Sequence, residues 1–186
     1  MYEIPELMNL IPKNAHLIGY SMGGRIALSL LTNHQRYFNR SVICSAHLGF
    51  SSEEERRIRL YQEETWINHL RAEGIQAFIK KWYTSPLFKD FPIPSYRYRQ
   101  SPDLLIEAIR KFSLAKQQNF WNSVPSISPL STFLYGETDE AYKQTYRNLL
   151  NLDARVHLIE KSGHALHLQN VGACIKQIER SIHAKF

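Results

Sequence analysis

Ten residues near the start of the chain, His16-Leu17-Ile18-Gly19-Tyr20-Ser21-Met22-Gly23-Gly24-Arg25, constrain its fold more than any other stretch. They read as an apolar strand running into Gly-x-Ser-x-Gly, then into a helix that opens Arg25-Ile26-Ala27-Leu28. That order describes a nucleophile elbow, a strained strand-to-helix turn that lifts a serine hydroxyl clear of the sheet edge. Glycine is expected at 19 and 23 because a Cβ would collide with the neighbouring strand or helix in so tight a turn. The bare pattern would arise by chance in a few per cent of chains this long, with Gly and Ser at roughly 7% each. Its place between a strand and a helix makes accident a much poorer account.

With 186 residues the chain can form one domain with a substantial core. No apolar run approaches the ~20 residues that span a membrane, so no membrane association is expected. Met1-Tyr2-Glu3-Ile4-Pro5 has neither a basic region nor an apolar signal core. Cys44 and Cys174, one in an expected strand and one in an expected helix, fit a reduced cytoplasmic protein. No Cys/His cluster has zinc-site spacing, and no metal is expected. The net charge of +6 raises nucleic acid, for which Tyr96-Arg97-Tyr98-Arg99 is the best local candidate. The favoured account is a solvated strand or loop whose tyrosines pack inward, with no nucleic-acid partner. Most other cations lie beside Glu on expected helices, and a few arginines could instead line a pocket for a small anionic substrate.

The pattern along the chain predicts a helix over Tyr2–Leu10, a strand at Ala15–Ile18, a helix at Gly24–Thr32 and a buried strand at Ser41–Ala46. Residues 52–81 read as a long charged helix, with Ser51-Ser52-Glu53-Glu54-Glu55 as cap and acidic first turn. Prolines at 86, 92, 94 and 102 precede a helix expected over Asp103–Lys116. Strand–helix alternation resumes with strands at Ser131–Tyr135 and Arg155–Ile159, a helix ending at Leu150 and a last helix at Val171–His183. The expectation is a parallel α/β core at residues 1–48 and 124–186, interrupted by a helical lid at 49–123.

Serine chemistry needs a base to take the hydroxyl proton and a carboxylate to orient that base. In an elbow-bearing sheet these arrive in the order Ser, acid, His, each at the carboxyl end of a strand. Ser21, Asp139 and His164 meet that order. Glu137 and Glu140 flank Asp139, but Asp139 is best placed to reach across. His167 rivals His164, whose preceding Gly163 suits a tight loop, and His167 is assigned packing only. The backbone N–H of Met22 would form half of an oxyanion hole.

These features identify the chain as resembling the α/β-hydrolases. More narrowly, Gly19-Tyr20-Ser21-Met22-Gly23-Gly24-Arg25, Glu53-Glu54-Glu55-Arg56-Arg57-Ile58-Arg59, Trp82-Tyr83, Pro86-Leu87-Phe88, Ser113-Leu114-Ala115 and Gly163-His164 resemble one branch. That branch is the 2-succinyl-6-hydroxy-2,4-cyclohexadiene-1-carboxylate synthases of menaquinone biosynthesis. The resemblance implies a lyase on a hydrolase scaffold, without metal or organic cofactor. The triad-activated serine would abstract a substrate proton, and pyruvate would leave 2-succinyl-5-enolpyruvyl-6-hydroxy-3-cyclohexene-1-carboxylate. It also implies substrate contacts from Tyr20, Met22, Arg25, Arg59, Trp82 and Arg97, the guanidinium forks matching a polycarboxylate.

The same resemblance places several strands and a second oxyanion donor ahead of the elbow, whereas this sequence starts just before the elbow strand. A truncated sheet of four strands is therefore expected, with an open edge that a partner polypeptide would complete. Loss of one oxyanion donor costs ~10²–10³ in rate. Two other functions fit the residues: a carboxylesterase or C–C bond hydrolase with the same triad, and an inactive domain that needs a partner chain.

Overall fold

The computed structural model describes residues 5–88 and 91–183. Its elements are α1 (Pro5–Leu10), β1 (Ala15–Tyr20), α2 (Met22–His34), β2 (Phe38–Cys44), α3 (Glu53–Tyr83), α4 (Pro102–Lys111) and α5 (Val124–Ile127). Then follow β3 (Ser131–Gly136), α6 (Lys143–Asn151), β4 (Val156–Ile159), α7 (Leu166–Gln169) and α8 (Val171–His183). Residues 2–4 of the first expected helix lie outside the described residues. The chain divides into two units, one made of Met1–Leu48 with Asn119–Phe186 and one of Gly49–Gln118. No helix among the described residues is long and apolar enough to cross a membrane.

In the first unit the described strands form one parallel sheet in the order β1-β2-β3-β4. The two-residue period of a strand sends alternate side chains to opposite faces. Ile43, Phe133 and Tyr135 accordingly join α2 residues Ala27, Leu28 and Leu31 and α6 residue Leu149 in one core. Their neighbours Val42, Cys44 and Leu134 join Ile159, Leu166 and Cys174 in the other. Every residue of β3 is buried, so this strand is covered on both faces, with Ser131 and Thr132 enclosed alongside Phe133, Leu134 and Tyr135. On β1, at the outside of the described sheet, Ile18 is 51% exposed.

Both thiols lie in this interior. Burial, with Cys174 as a lesser cause, pushes Cys44 up to about 12, and burial also raises Cys174. At pH 8 Cys44 is almost wholly the thiol, and the reactive form is the thiolate. Ellman's reagent is therefore expected to leave the folded chain unmodified at pH 8 and to titrate both cysteines in guanidinium. Rapid reaction of the folded chain would contradict this packing.

In the second unit α3 starts with the expected cap. Ser52 Oγ accepts from the Glu55 N–H, and the Glu55 carboxylate accepts from the Ser52 N–H at 3.1 Å. The long helix is not continuous: Gly74 has φ 74° and ψ 177°, a conformation open to glycine that breaks it. Ile67, Leu70, Phe78 and Ile79 form a core with Ile106 of α4. The helix expected to reach Lys116 stops at Lys111. A buried carboxylate explains the difference. Glu63, 3% exposed, accepts from Ser113 Oγ at 2.5 Å and from the Leu114 N–H at 2.9 Å. Those bonds draw residues 113–114 out of the helix, because a buried carboxylate needs more donors than the Arg59 guanidinium alone supplies. In the Tyr-Arg-Tyr-Arg stretch, now a 3-10 turn over Ser95–Arg99, Tyr98 packs on this core while Tyr96 is 56% exposed.

Candidate active site

Ser21 sits between β1 and α2 with φ 50° and ψ −111°, a left-handed conformation that costs a non-glycine residue about 1–3 kcal/mol. The turn is pinned by the Ser21 N–H donating to the Cys44 carbonyl at 2.8 Å and the Arg25 N–H donating to the Ser21 carbonyl at 3.1 Å. A Cβ on Gly19 would lie 2.6 Å from the Gly23 carbonyl oxygen. The expectation for Gly23 itself is corrected: a Cβ there meets nothing within 4 Å. The second crowded position is Gly24, whose Cβ would lie 2.7 Å from that of Ala46, because the helix packs there on the chain leaving β2.

Asp139 and His164, the expected acid and base, follow the ends of β3 and β4. Glu137 N–H donates to the Ile159 carbonyl at 3.0 Å and Thr138 N–H to the Ser162 carbonyl at 2.9 Å, lacing the two loops together. The Glu137 carboxylate accepts from the Lys161 N–H at 2.9 Å, and Glu140 pairs with Lys143. Asp139 is the carboxylate that reaches His164, Oδ2 to Nδ1 at 3.0 Å. His164 Nε2 lies 3.1 Å from Ser21 Oγ. Asp139 is 5% exposed and His164 3% exposed, so little water competes for these bonds. With the Nδ1 proton on the carboxylate side, Nε2 is left to accept the serine proton.

The loops approach closely at Gly136, where a Cβ would lie 2.1 Å from the Gly163 carbonyl oxygen. At Gly163, the glycine singled out in the sequence, a Cβ would make only ordinary contacts at 3.5 Å. Met22 is the first residue of α2, so its N–H is among those that helix geometry leaves without an intrahelical partner. Arg25 lies in the same first turn, where the helix dipole also favours anions. The Tyr20 ring is 5.5 Å from that of His164. Tyr142, which sequence reading did not single out, lies 5.2 Å from His164 and stacks at 5.6 Å on Tyr135. The Tyr135 hydroxyl donates to the Ala46 carbonyl at 2.9 Å, and burial raises its pKa well above the usual phenol range. The signal for Tyr142 was its place one 3-10 turn beyond the acid.

The remaining expected contacts belong to the second unit. Arg59 Nε pairs with Glu63 at 2.9 Å, and its guanidinium lies 4.6 Å from the Trp66 ring centre. Trp82 packs edge-on against Trp66 at 4.6 Å. The Arg97 guanidinium lies 5.4 Å from the Tyr96 ring centre.

Residues 3–176, most of the chain, match the alpha/beta hydrolase family. The chain belongs to that family. A 2-succinyl-6-hydroxy-2,4-cyclohexadiene-1-carboxylate synthase of Klebsiella pneumoniae is 28% identical over 171 residues, covering 87% of this chain and 67% of that protein. A Bacillus subtilis (strain 168) relative is 28% identical over 165 residues, 82% of this chain, and here the chain spans only 60% of the relative's length. The solved structure of MenH from S. aureus is 27% identical with a TM-score of 0.81, covering 88% of this chain and 66% of that one. The parallel sheet flanked by helices is thus an α/β-hydrolase fold with a neighbour of known structure.

Proposed function

We propose that this chain carries the carbon–oxygen lyase chemistry of menaquinone biosynthesis, releasing pyruvate from 2-succinyl-5-enolpyruvyl-6-hydroxy-3-cyclohexene-1-carboxylate. The observation that carries the reading is the His164 imidazole bridging Ser21 Oγ and Asp139 at 3.1 and 3.0 Å in a chain whose relatives are named for that synthase. Nε2 of His164 takes the Ser21 proton, and the serine oxygen takes a proton from a ring carbon of the substrate. The electrons of that C–H bond become a ring double bond as the C–O bond to the enolpyruvyl group breaks. The leaving enolate takes up a proton and becomes pyruvate. Arg25, at the N-terminus of α2, supplies a fixed fork for a substrate carboxylate. The resemblance alone adds Tyr20, Met22, Arg59, Trp82 and Arg97 as substrate contacts.

Pyruvate release, read by coupling to lactate dehydrogenase and NADH, tests the reaction, with p-nitrophenyl ester hydrolysis measured in parallel. Pyruvate release with slow ester cleavage is expected, and Arg25→Ala should lower kcat/KM for pyruvate release about 10²-fold. Fast ester hydrolysis with no pyruvate would replace the lyase reading by an esterase. Unchanged kinetics in Arg25→Ala would remove that arginine from the site.

A further inference from the structure

The Gly163-His164-Ala165-Leu166-His167 segment carries a second imidazole three residues beyond the first. Its ring centre lies 4.2 Å from that of Tyr20, and Tyr20 lies 5.5 Å from His164. Tyr142, from the turn after Asp139, approaches His164 to 5.2 Å. The two tyrosines come from different elements, and rings at these separations are in mutually attractive contact.

Resting on the triad reading above, we propose that His167, acting through Tyr20, and Tyr142 form an aromatic clamp that fixes the ring plane of His164 between Ser21 and Asp139. Both are positioning residues, since neither touches the reacting atoms. The geometry needs such a clamp. The two hydrogen bonds of His164 leave from opposite edges of one ring, so a single rotation about its ring-bearing bond weakens both. His167 is itself held by packing. Its Nδ1 is sealed from solvent and has no hydrogen-bond partner, so ring contacts rather than a polar bond at that atom hold it. Burial, and then the neighbouring His164, hold its pKa below the usual histidine value. The ring therefore stays neutral while His164 takes up the serine proton, and adds no like charge beside it.

The test uses the full chain and reads Ser21 directly, independently of any lyase assay. A fluorophosphonate probe forms an Oγ–P bond at the serine, fluoride leaves from phosphorus, and the serine proton passes to His164. His167→Ala is expected to slow this labelling roughly tenfold and to broaden the low-field proton signal of the His164 Nδ1–H, with the thermal midpoint unchanged. His167→Phe, which keeps a ring of similar outline, is expected to restore both to within about twofold. Wild-type rates in His167→Ala, or equal loss in the Ala and Phe variants, would overturn the clamp. If His167→Ala does not fold, Tyr142→Leu against Tyr142→Phe makes the same comparison. Labelling without pyruvate release would leave the clamp in place and remove only the lyase reading, whereas a wild-type chain that resists the probe would overturn both.

Discussion

Ser21→Ala is expected to abolish both pyruvate release and fluorophosphonate labelling, a loss of about 10³-fold or more, with little change in the unfolding midpoint. His164→Ala should do the same. The three groups depend on one another. The serine hydroxyl is a poor base until His164 Nε2, 3.1 Å away, accepts its proton, and the imidazole is a poor acceptor unless Asp139 holds the other nitrogen at 3.0 Å. Groups that act as a unit fail as a unit, so the double variant Ser21→Ala/His164→Ala should be no slower than either single one. Losses that multiply would show that the two residues contribute separately, and survival of activity in either single variant would sink the assignment. Folding should be nearly indifferent to Ser21→Ala because alanine inherits the same φ of 50°.

The second large effect is expected at a residue with no functional group. Gly136→Ala would place a Cβ 2.1 Å from the Gly163 carbonyl oxygen and 2.4 Å from that of Ser162. Both are backbone atoms, and neither can swing aside as a long side chain would. The loops carrying Asp139 and His164 must separate, breaking the bonds from Glu137 and Thr138 that hold them together. Forced overpacking of this kind costs about 3 kcal/mol, which in a chain of this size is roughly 6–12 °C in the thermal midpoint. Labelling of Ser21 should fall with it, because the acid–base separation widens. Gly163→Ala is the control: its Cβ would meet nothing nearer than 3.5 Å, and near-wild-type stability is expected. Equal midpoints for the two variants, measured by thermal denaturation, would show that the loop contact at Gly136 is not tight.

That pair of glycines also marks where sequence reading stops. Local signals were strong: an apolar run before Gly-x-Ser-x-Gly, Ser52 ahead of Glu55, and strands rich in Val, Ile and Phe all correspond to elements, although β2 runs over Phe38–Cys44 and not the expected Ser41–Ala46. Tertiary proximity leaves a weaker trace. Nothing in the order Gly163-His164 distinguishes a glycine that is crowded from one that is not, and the crowded one lies 27 positions earlier in the chain. The end of α4 was illegible for the same reason. Helix propensity carries on through Leu114 and Ala115, but a carboxylate fifty residues upstream claims the Ser113 hydroxyl and the Leu114 N–H. Tyr142 was hidden too, because its neighbour His164 lies on another loop. Ser21, Asp139 and His164 could be named together only because the elbow supplied a frame in which their order had meaning.

The left-handed backbone at Ser21 has a bearing on how such a chain can change over time. A residue held at φ 50° withholds stability from the fold in exchange for an exposed hydroxyl. Glycine would sit there with less strain, but it brings no hydroxyl to His164. Selection for stability alone therefore pulls position 21 away from serine, and only selection for the chemistry keeps it. Descendants freed from that chemistry should drift first at this one residue, long before the buried strands around it begin to erode.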